Sequence, residues 1–534
     1  MAAAVARFGI EQMARQFIIG SDDDLDEVLA RLGRRWEAGF ASTLDLLGEK
    51  TFTAREADHY AARVSRTFLR LIDTASRWPS RPVLERDPWG PLGRVNVSVK
   101  PTALAPKMHV LTEAAGVAQA VERLGPILDV ARQSGATVHI DAEHDETKDA
   151  THALLRAIGE QWPDGPALGC VVQAYRQDAA DDLAALVRWS GETLDIPLQV
   201  RLVKGAYWDA ETIVARANGW PNPLFEQKPG SDASFEACAQ DLAAGAADGA
   251  VRPAFASHNI RSLAAAITAC RQLGLGDDAF EIQVLHGMAE PLHHGLRDLG
   301  FRVRVYSPMG DLIPGMSYLV RRLLENTANE SFVAQGDLRG AALDAAIGDP
   351  ATSPVPVARR ETDPLDHDSQ DRRTEEATMP SHDPTATFRN EPVAELRRAP
   401  VRARFASAVS AVESTLGFDV SLLIAGRAVS TKDTLPSVDP GRTSRTVAVQ
   451  SLADGEHVHE AMAAATGALA GWSSRSVHER AEVLRRGADL LRRRRGELAA
   501  LIAIEAGKPI AEADADVCEA IDFWGYYAAS AEAA

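Results

Sequence analysis

The chain has 534 residues, too many for one ordinary hydrophobic core, so two or three domains are expected. Hydrophobic residues make up 46%, ordinary for a water-soluble globular protein, while 57 Lys+Arg against 75 Asp+Glu leave a formal charge of −18. That acidity argues against nucleic-acid partners, which need basic surface to displace counterions, and disfavours broad attraction to anionic lipid.

Cys170, Cys238, Cys270 and Cys518 are scattered, with no CxxC and no Cys/His pair. Neither a metal site nor a disulfide frame is expected, and a reducing cytoplasm fits. The N-terminus has no charged segment followed by a long apolar run, and no stretch is long and apolar enough to span a bilayer.

Residues 1–38 read as a helical arm. Glu27, Val28, Leu29 and Leu32 with Trp36 keep a helical period, and Gly39 can end it. Eight β-like runs follow, separated by helical patterns: 40–49, 95–100, 138–143, 169–174, 197–208, 253–259, 281–287 and 302–308. Strands alternating with helices imply a parallel sheet, because parallel neighbours need crossover connections. Eight such units can close into a (β/α)8 barrel of TIM type over residues 39–335. An open doubly wound sheet is the runner-up, but it would carry a glycine-rich turn after its first strand, and LDLLGEKTF has a single glycine.

Polar residues cluster where these runs end. Lys100, Asp141, Glu143, Gln173, Arg201, Lys204, His258, Asn259, His286 and Tyr306 all lie late in their strands. Taken singly, Asp141 suits a helix cap, Lys100 a solvated surface and His258 a structural role. In a barrel these ends converge on one face, where active sites are built. The helix SYLVRRLLENTAN (317–329) follows the last run. Leu319, Val320, Leu323 and Leu324 form its apolar stripe, with Tyr318, Arg321, Arg322 and Glu325 opposite. Paired guanidinium forks there suit a carboxylate or a phosphate, although a solvated face is the usual reading of such a cluster.

Residues 336–418 are rich in proline and charge and read as a largely disordered linker. Within it, FRNEPVAEL reads as a docking patch and residues 398–417 as a short amphipathic helix. Residues 419–534 are ordered again. SLLIAGRAVS and RTVAVQS read as strands with PSVDPGR as the turn between them, followed by three helices.

SVKPTAL, IDAE, VVQAY, RLVKGAYWD, FASHN, QVLHGM, RVYSPMG and YLVRRLLEN occur in the order seen in proline dehydrogenase barrels. Residues 8–335 therefore resemble the first catalytic half of the bifunctional proline-utilisation flavoenzymes, and LDLLGEK resembles that family's first strand. The resemblance implies noncovalent FAD, oxidation of L-proline to Δ1-pyrroline-5-carboxylate, and electron transfer to a membrane quinone. It also implies a cytoplasmic protein, peripheral at the inner face of the membrane, and leaves a homo-oligomer open.

By position, Lys100, Arg321 and Arg322 match residues that hold the proline carboxylate, and Leu285 and Tyr306 match residues that wall the ring. Asp141 and Arg201 match catalytic positions. Ile140, Gln173, Arg201, Lys204, Gly205, Ala206, Trp208, Ser257 and His258 match flavin-contacting positions, with Ser257 where relatives often have threonine. Tyr207 also falls in the pocket of relatives. On a regular strand, Arg201 and Lys204 point to opposite faces, so they share a site only if the strand ends or bulges between them.

Residues 419–534 resemble the beginning of an aldehyde dehydrogenase, which in bifunctional relatives oxidises glutamate semialdehyde with NAD. The nucleotide turn, base and nucleophile of that fold are expected beyond Ala534, and Cys518 reads as a buried structural thiol, so no aldehyde oxidation is expected from these 534 residues. Two other readings remain: a barrel enzyme that binds a phosphorylated substrate through Arg321 and Arg322, and a non-catalytic assembly chain.

Overall fold

Eight parallel strands close into a barrel, each hydrogen-bonded to its sequence neighbours. They are β1 Ala41–Leu46, β2 Asn96–Val99, β3 Thr137–Ile140, β4 Ala167–Gln173, β5 Leu198–Val203, β6 Val251–Ala256, β7 Glu281–Leu285 and β8 Val303–Met309. β1 pairs with both β2 and β8, which completes the ring. The computed structural model describes residues 16–48, 50–311, 318–321, 348, 350 and 388–533. Two compact units divide the chain: Met1–Ala215 with Pro221–Arg359, and Arg216–Trp220 with Arg360–Ala534.

The (β/α)8 reading holds, and the strands stop short of the expected runs. β2 ends before Lys100, β3 before Asp141, β5 before Lys204 and β6 before Ser257. These polar residues come just after the last strand residue, where the chain turns off the ladder. A two-residue hairpin, Arg86–Asp87 with Gly90–Pro91, has no counterpart in the sequence reading.

Helices pack outside the ring through apolar stripes. Ala54–Ala75 starts at a capping box, in which Thr53 accepts from Glu56 N–H, and buries Tyr60, Val64, Phe68 and Leu71. The arm helix Leu25–Glu37 buries Val28, Leu29, Leu32 and Trp36, while Glu27, given the same period, is exposed. Gly39, at φ 88°, follows it where a side chain is disfavoured. The arm before residue 16 lies outside the described residues.

The ring holds an ordered set of polar side chains. Thr43 donates to Asn96 (3.0 Å), Asn96 donates to Gln199 (3.3 Å), and His139 Nε2 meets the same Gln199 Oε1 at 2.9 Å. Arg304 Nε donates to both oxygens of Glu281 (2.8 and 3.0 Å), and Gln283 Nε2 donates to Glu281 Oε1 (2.6 Å). Burial alone would push the Glu281 carboxyl up; the Arg304 guanidinium outweighs that and holds it below the usual carboxylate range.

In the second unit, residues 388–396 have no regular structure but are anchored. Glu391 N–H donates to Asp522 (2.6 Å) and Ala394 N–H to Asp514 (2.7 Å), both on the helix Ile510–Ala533. The helix Ala399–Glu413 follows. The run SLLIAGRAVS is a hairpin instead of one strand: β9 Leu422–Ile424 and β10 Arg427–Val429 turn at Ala425 and Gly426, both with positive φ. PSVDPGR is mostly strand, because β11 Thr434–Asp439 and β12 Arg442–Ser451 leave only Pro440 and Gly441 between them. The long helix expected next breaks at Arg494 into Val477–Arg493 and Arg495–Ala506.

Breaking the Glu281–Arg304 pair leaves a buried charge without a partner. Arg304→Met alone is expected to lower unfolding free energy by about 3–5 kcal/mol, and the double variant Glu281→Leu/Arg304→Met by clearly less. Because the folded carboxyl of Glu281 is depressed, its contribution is present above the unfolded value and is lost as pH falls through the folded one. Urea melts of both variants at pH 7 and pH 4 check this; equal losses would mean the pair carries no special weight.

Candidate active site

At the C-terminal end of the strands lies a cavity of about 260 Å³. Its floor is organised by Arg201 on β5, a residue only 5% exposed. Arg201 Nη1 donates to Asp141 Oδ1 (2.8 Å), Nε to Gln283 Oε1 (2.6 Å) and Nη2 to Ser98 Oγ (3.2 Å). The other oxygen of Asp141 accepts from the Tyr306 hydroxyl at 2.8 Å. The Arg201 guanidinium carbon also stands 5.1 Å from the Tyr306 ring centre. Burial, then the Asp141 charge, pushes the Tyr306 phenol well up, so it stays a donor.

Beside this group Lys100 makes a short ion pair with Asp45, a nearly inaccessible carboxylate on β1. Burial pulls the ammonium down, but Asp45, Tyr60 and Asp141 outweigh it and hold its pKa above the ordinary lysine value. Glu143 accepts from the Thr102 N–H (3.0 Å) and hydroxyl (2.7 Å), and burial pushes its carboxyl up. Gln173 sits above it, with Nε2 3.4 Å from the Glu143 carbonyl.

β5 ends between Arg201 and Lys204, and both line the cavity. Lys204 is paired with Asp232, which also accepts from Lys228 (2.6 Å). Burial draws the Lys204 pKa down despite Asp232. Gly205 follows at φ 136°, and a Cβ there would stand 2.4 Å from the Tyr175 ring, so the close turn needs glycine. Ala206 and Tyr207 complete that wall, and Ser257 and His258 follow the neighbouring strand β6. His258 Nε2 accepts from Leu285 N–H at 3.1 Å. Arg321 reaches the rim with its guanidinium carbon 5.0 Å from the Tyr207 ring centre.

Of the residues singled out in the sequence, Lys100, Asp141, Gln173, Arg201, Lys204, Gly205, Ala206, Tyr207, Ser257, His258, Leu285, Tyr306 and Arg321 line this cavity. Ile140 and Trp208 do not. Ile140 is fully buried in the core, and Trp208 is 40% exposed with its indole N–H on the Phe225 carbonyl (2.8 Å). Arg322, Leu323, Leu324 and Glu325 lie outside the described residues. The expected split of their helix holds for Tyr318, which lines the cavity with Arg321, and fails for Val320. Tyr318 is buried with Leu319 against Phe17, Ile18, Leu47 and Met288, whereas Val320 is exposed. Away from the cavity, Asn259 caps the helix Ile260–Gln272 and His286 takes a bond from Arg35 (3.0 Å). The sequence reading missed Asp45 and Gln283; each is a polar residue flanked by apolar neighbours, Leu44 and Leu46 or Ile282 and Val284, which was the available signal.

These features define a β/α-barrel protein whose strand ends present a buried arginine–carboxylate pair beside further cationic and hydroxyl groups. The chain belongs to the proline dehydrogenase family, whose model matches residues 28–335. The aldehyde dehydrogenase family model matches residues 428–534. The bifunctional protein PutA of Escherichia coli is 30% identical over 540 residues, covering 97% of this chain and 38% of that protein. A 1-pyrroline-5-carboxylate dehydrogenase of Bacillus pumilus is 40% identical over 144 residues, 27% of this chain and 28% of that protein. Among solved structures, proline utilization A from Bdellovibrio bacteriovorus, inactivated by N-propargylglycine, superposes with a TM-score of 0.88 at 34% identity, covering 99% of this chain and 53% of that one. The chain thus spans 38% of the length of the first curated relative it matches.

Cys518 is buried on its helix, and burial pushes its thiol up to about 12, the opposite of what a nucleophile needs.

Removing charge from Asp141 leaves the Arg201 guanidinium without its counter-ion. Asp141→Asn is expected to cost about 3 kcal/mol of stability. Tyr306→Phe, which deletes one hydrogen bond, should cost about 1 kcal/mol. Thermal and urea unfolding of the two variants tests the order; a larger loss for Tyr306→Phe would contradict it.

Proposed function

We propose that residues 39–335 bind FAD noncovalently and oxidise L-proline to Δ1-pyrroline-5-carboxylate, passing electrons to a membrane quinone. What carries this reading is the meeting of Lys100 and Arg321 with the Arg201–Asp141–Tyr306 group in one cavity. Lys100 and Arg321, with Arg322 beside them in sequence, are cations suited to the substrate carboxylate, its one strong handle. Leu285 and Tyr306 wall the ring, and the Tyr306 hydroxyl is held in place by Asp141.

The donor set suits a flavin. Gln173 offers an amide, Ser257 a hydroxyl, and Arg201 and Lys204 positive charge, while the Gly205–Ala206 turn presents backbone with little side chain. Bound FAD supplies the acceptor for the hydride that leaves the ring carbon next to nitrogen. Arg201, fixed on three sides before substrate arrives, provides preorganised counter-charge at that place. The phosphate alternative fares worse, because Asp45, Asp141 and Glu143 line the same cavity and would face a dianion.

Residues 428–534 support a further part of the reading: in a longer protein they form the entry to an NAD-dependent second half that oxidises glutamate semialdehyde. Cytoplasmic location, with peripheral contact at the inner face of the membrane, follows from the quinone acceptor. Among the described residues no helix is long and apolar enough to cross a membrane.

The direct test is the absorption spectrum of the purified chain together with proline-dependent reduction of a dye. A yellow chromophore and turnover are expected; a colourless chain inert to proline would remove the assignment. Arg321→Ala should raise the KM for proline by the equivalent of roughly 2–4 kcal/mol while flavin content stays unchanged. Arg201→Met should lower the midpoint potential of the bound flavin and slow proline oxidation. Potentiometric titration reads the first effect, and an unchanged or raised midpoint would reduce Arg201 to a packing residue.

A further inference from the structure

Arg321 rests on an aromatic face. Among the described residues its guanidinium has no carboxylate partner, and its contact is the ring of Tyr207, 5.0 Å from the centroid. A cation over an aromatic face is attracted by the ring quadrupole, so where the ring stands decides where the charge stands. Tyr207 in turn lies against the imidazole of His144, with ring centres 4.2 Å apart and planes 46° from parallel.

His144 follows β3 by four residues, on the loop that also carries Glu143. Its Nδ1 lies 3.1 Å from Glu211 Oε1. The same oxygen accepts from Asp145 N–H at 2.9 Å. Glu211 is 5% exposed, in the first turn of the helix Trp208–Ala217. Asp145 makes a buried ion pair with Arg176, at the end of the next βα loop. Two loops and the first turn of a helix are therefore tied together under one imidazole, although the His144 side chain itself is 50% exposed. A half-exposed ring contributes little to a core, so this anchoring acts on the residue it touches.

We infer that His144 is a positioning residue for the substrate: its ring backs Tyr207, and Tyr207 seats the Arg321 guanidinium where a ring-borne carboxylate must dock. This rests on the function proposed above and adds a residue whose role is steric placement, not proton transfer.

The test uses the full chain with its flavin and the variants His144→Ala and His144→Phe. The readouts are kcat and KM for L-proline, flavin content, and the Kd of tetrahydrofuran-2-carboxylate, a non-reactive ring analogue, by calorimetry. His144→Ala is expected to raise KM and Kd by roughly three- to tenfold, with kcat within about twofold and flavin content unchanged. His144→Phe, which keeps a ring and loses the nitrogen, is expected to stay within about twofold of the parent. Parent-like KM and Kd in His144→Ala overturn the inference. So does a His144→Phe variant as impaired as the alanine, which would place the role in the Nδ1–Glu211 contact. A general fall in flavin content and kcat in both variants overturns it too, in favour of a structural role. If the parent chain neither oxidises proline nor binds the analogue, the proposed function itself fails, a result separable from all of these.

Discussion

A guanidinium buried inside a ring of strands needs its charge answered on the spot, and that requirement organises the mouth of this barrel. Arg201 meets Asp141, Gln283 and Ser98 with three different nitrogens. Each partner comes from a different strand or strand end, so the bonds are also a statement of register. A shift of one residue in β5 would send Arg201 to the outer face and leave Asp141 alone in the cavity. Beneath it the Gln283–Glu281–Arg304 chain continues the same logic, since Glu281 holds the Gln283 amide with its oxygen toward Arg201. Polar groups in a low-dielectric interior stabilise only when all are satisfied, and here they fix one arrangement.

Around that fixed pair the cavity divides into two kinds of surface. On one side Lys100 is held charged by Asp45, and Arg321 rests on an aromatic face. Adjoining that aromatic face, the chain leaves β5 through Lys204 and Gly205, so a cation and a bare turn of backbone follow each other just before Tyr207. The first surface suits the carboxylate of a small substrate, and the second suits a polar heterocycle lying across the strand ends. That division is why the proposed roles of substrate and cofactor do not compete for the same groups.

Much of this was legible in the sequence. Alternating strand and helix patterns gave the barrel, and polar residues late in seven of the eight runs marked one face. What was not legible has physical causes. The runs looked longer than the strands because Lys100, Asp141 and Lys204 directly follow the last strand residue, just where the backbone leaves the ladder. Asp45 and Gln283 were hidden inside strands, where a polar residue normally argues for the outer face. Val320, expected in the apolar stripe, is exposed, while Tyr318 keeps its place beside Arg321 and is covered by Phe17 and Ile18 of the arm. Ala425 and Gly426 split one expected strand in two, since both adopt positive φ in a tight hairpin.

The central claim is that these strand ends form a flavin site at which proline is the reductant. Anaerobic mixing of the purified chain with L-proline tests it most directly, with flavin absorbance followed in time and no added electron acceptor. The account predicts that the flavin band bleaches with a rate that saturates in proline, and that D-proline leaves it unchanged at the same concentration. A flavin band indifferent to L-proline, or bleached equally by both enantiomers, would contradict it.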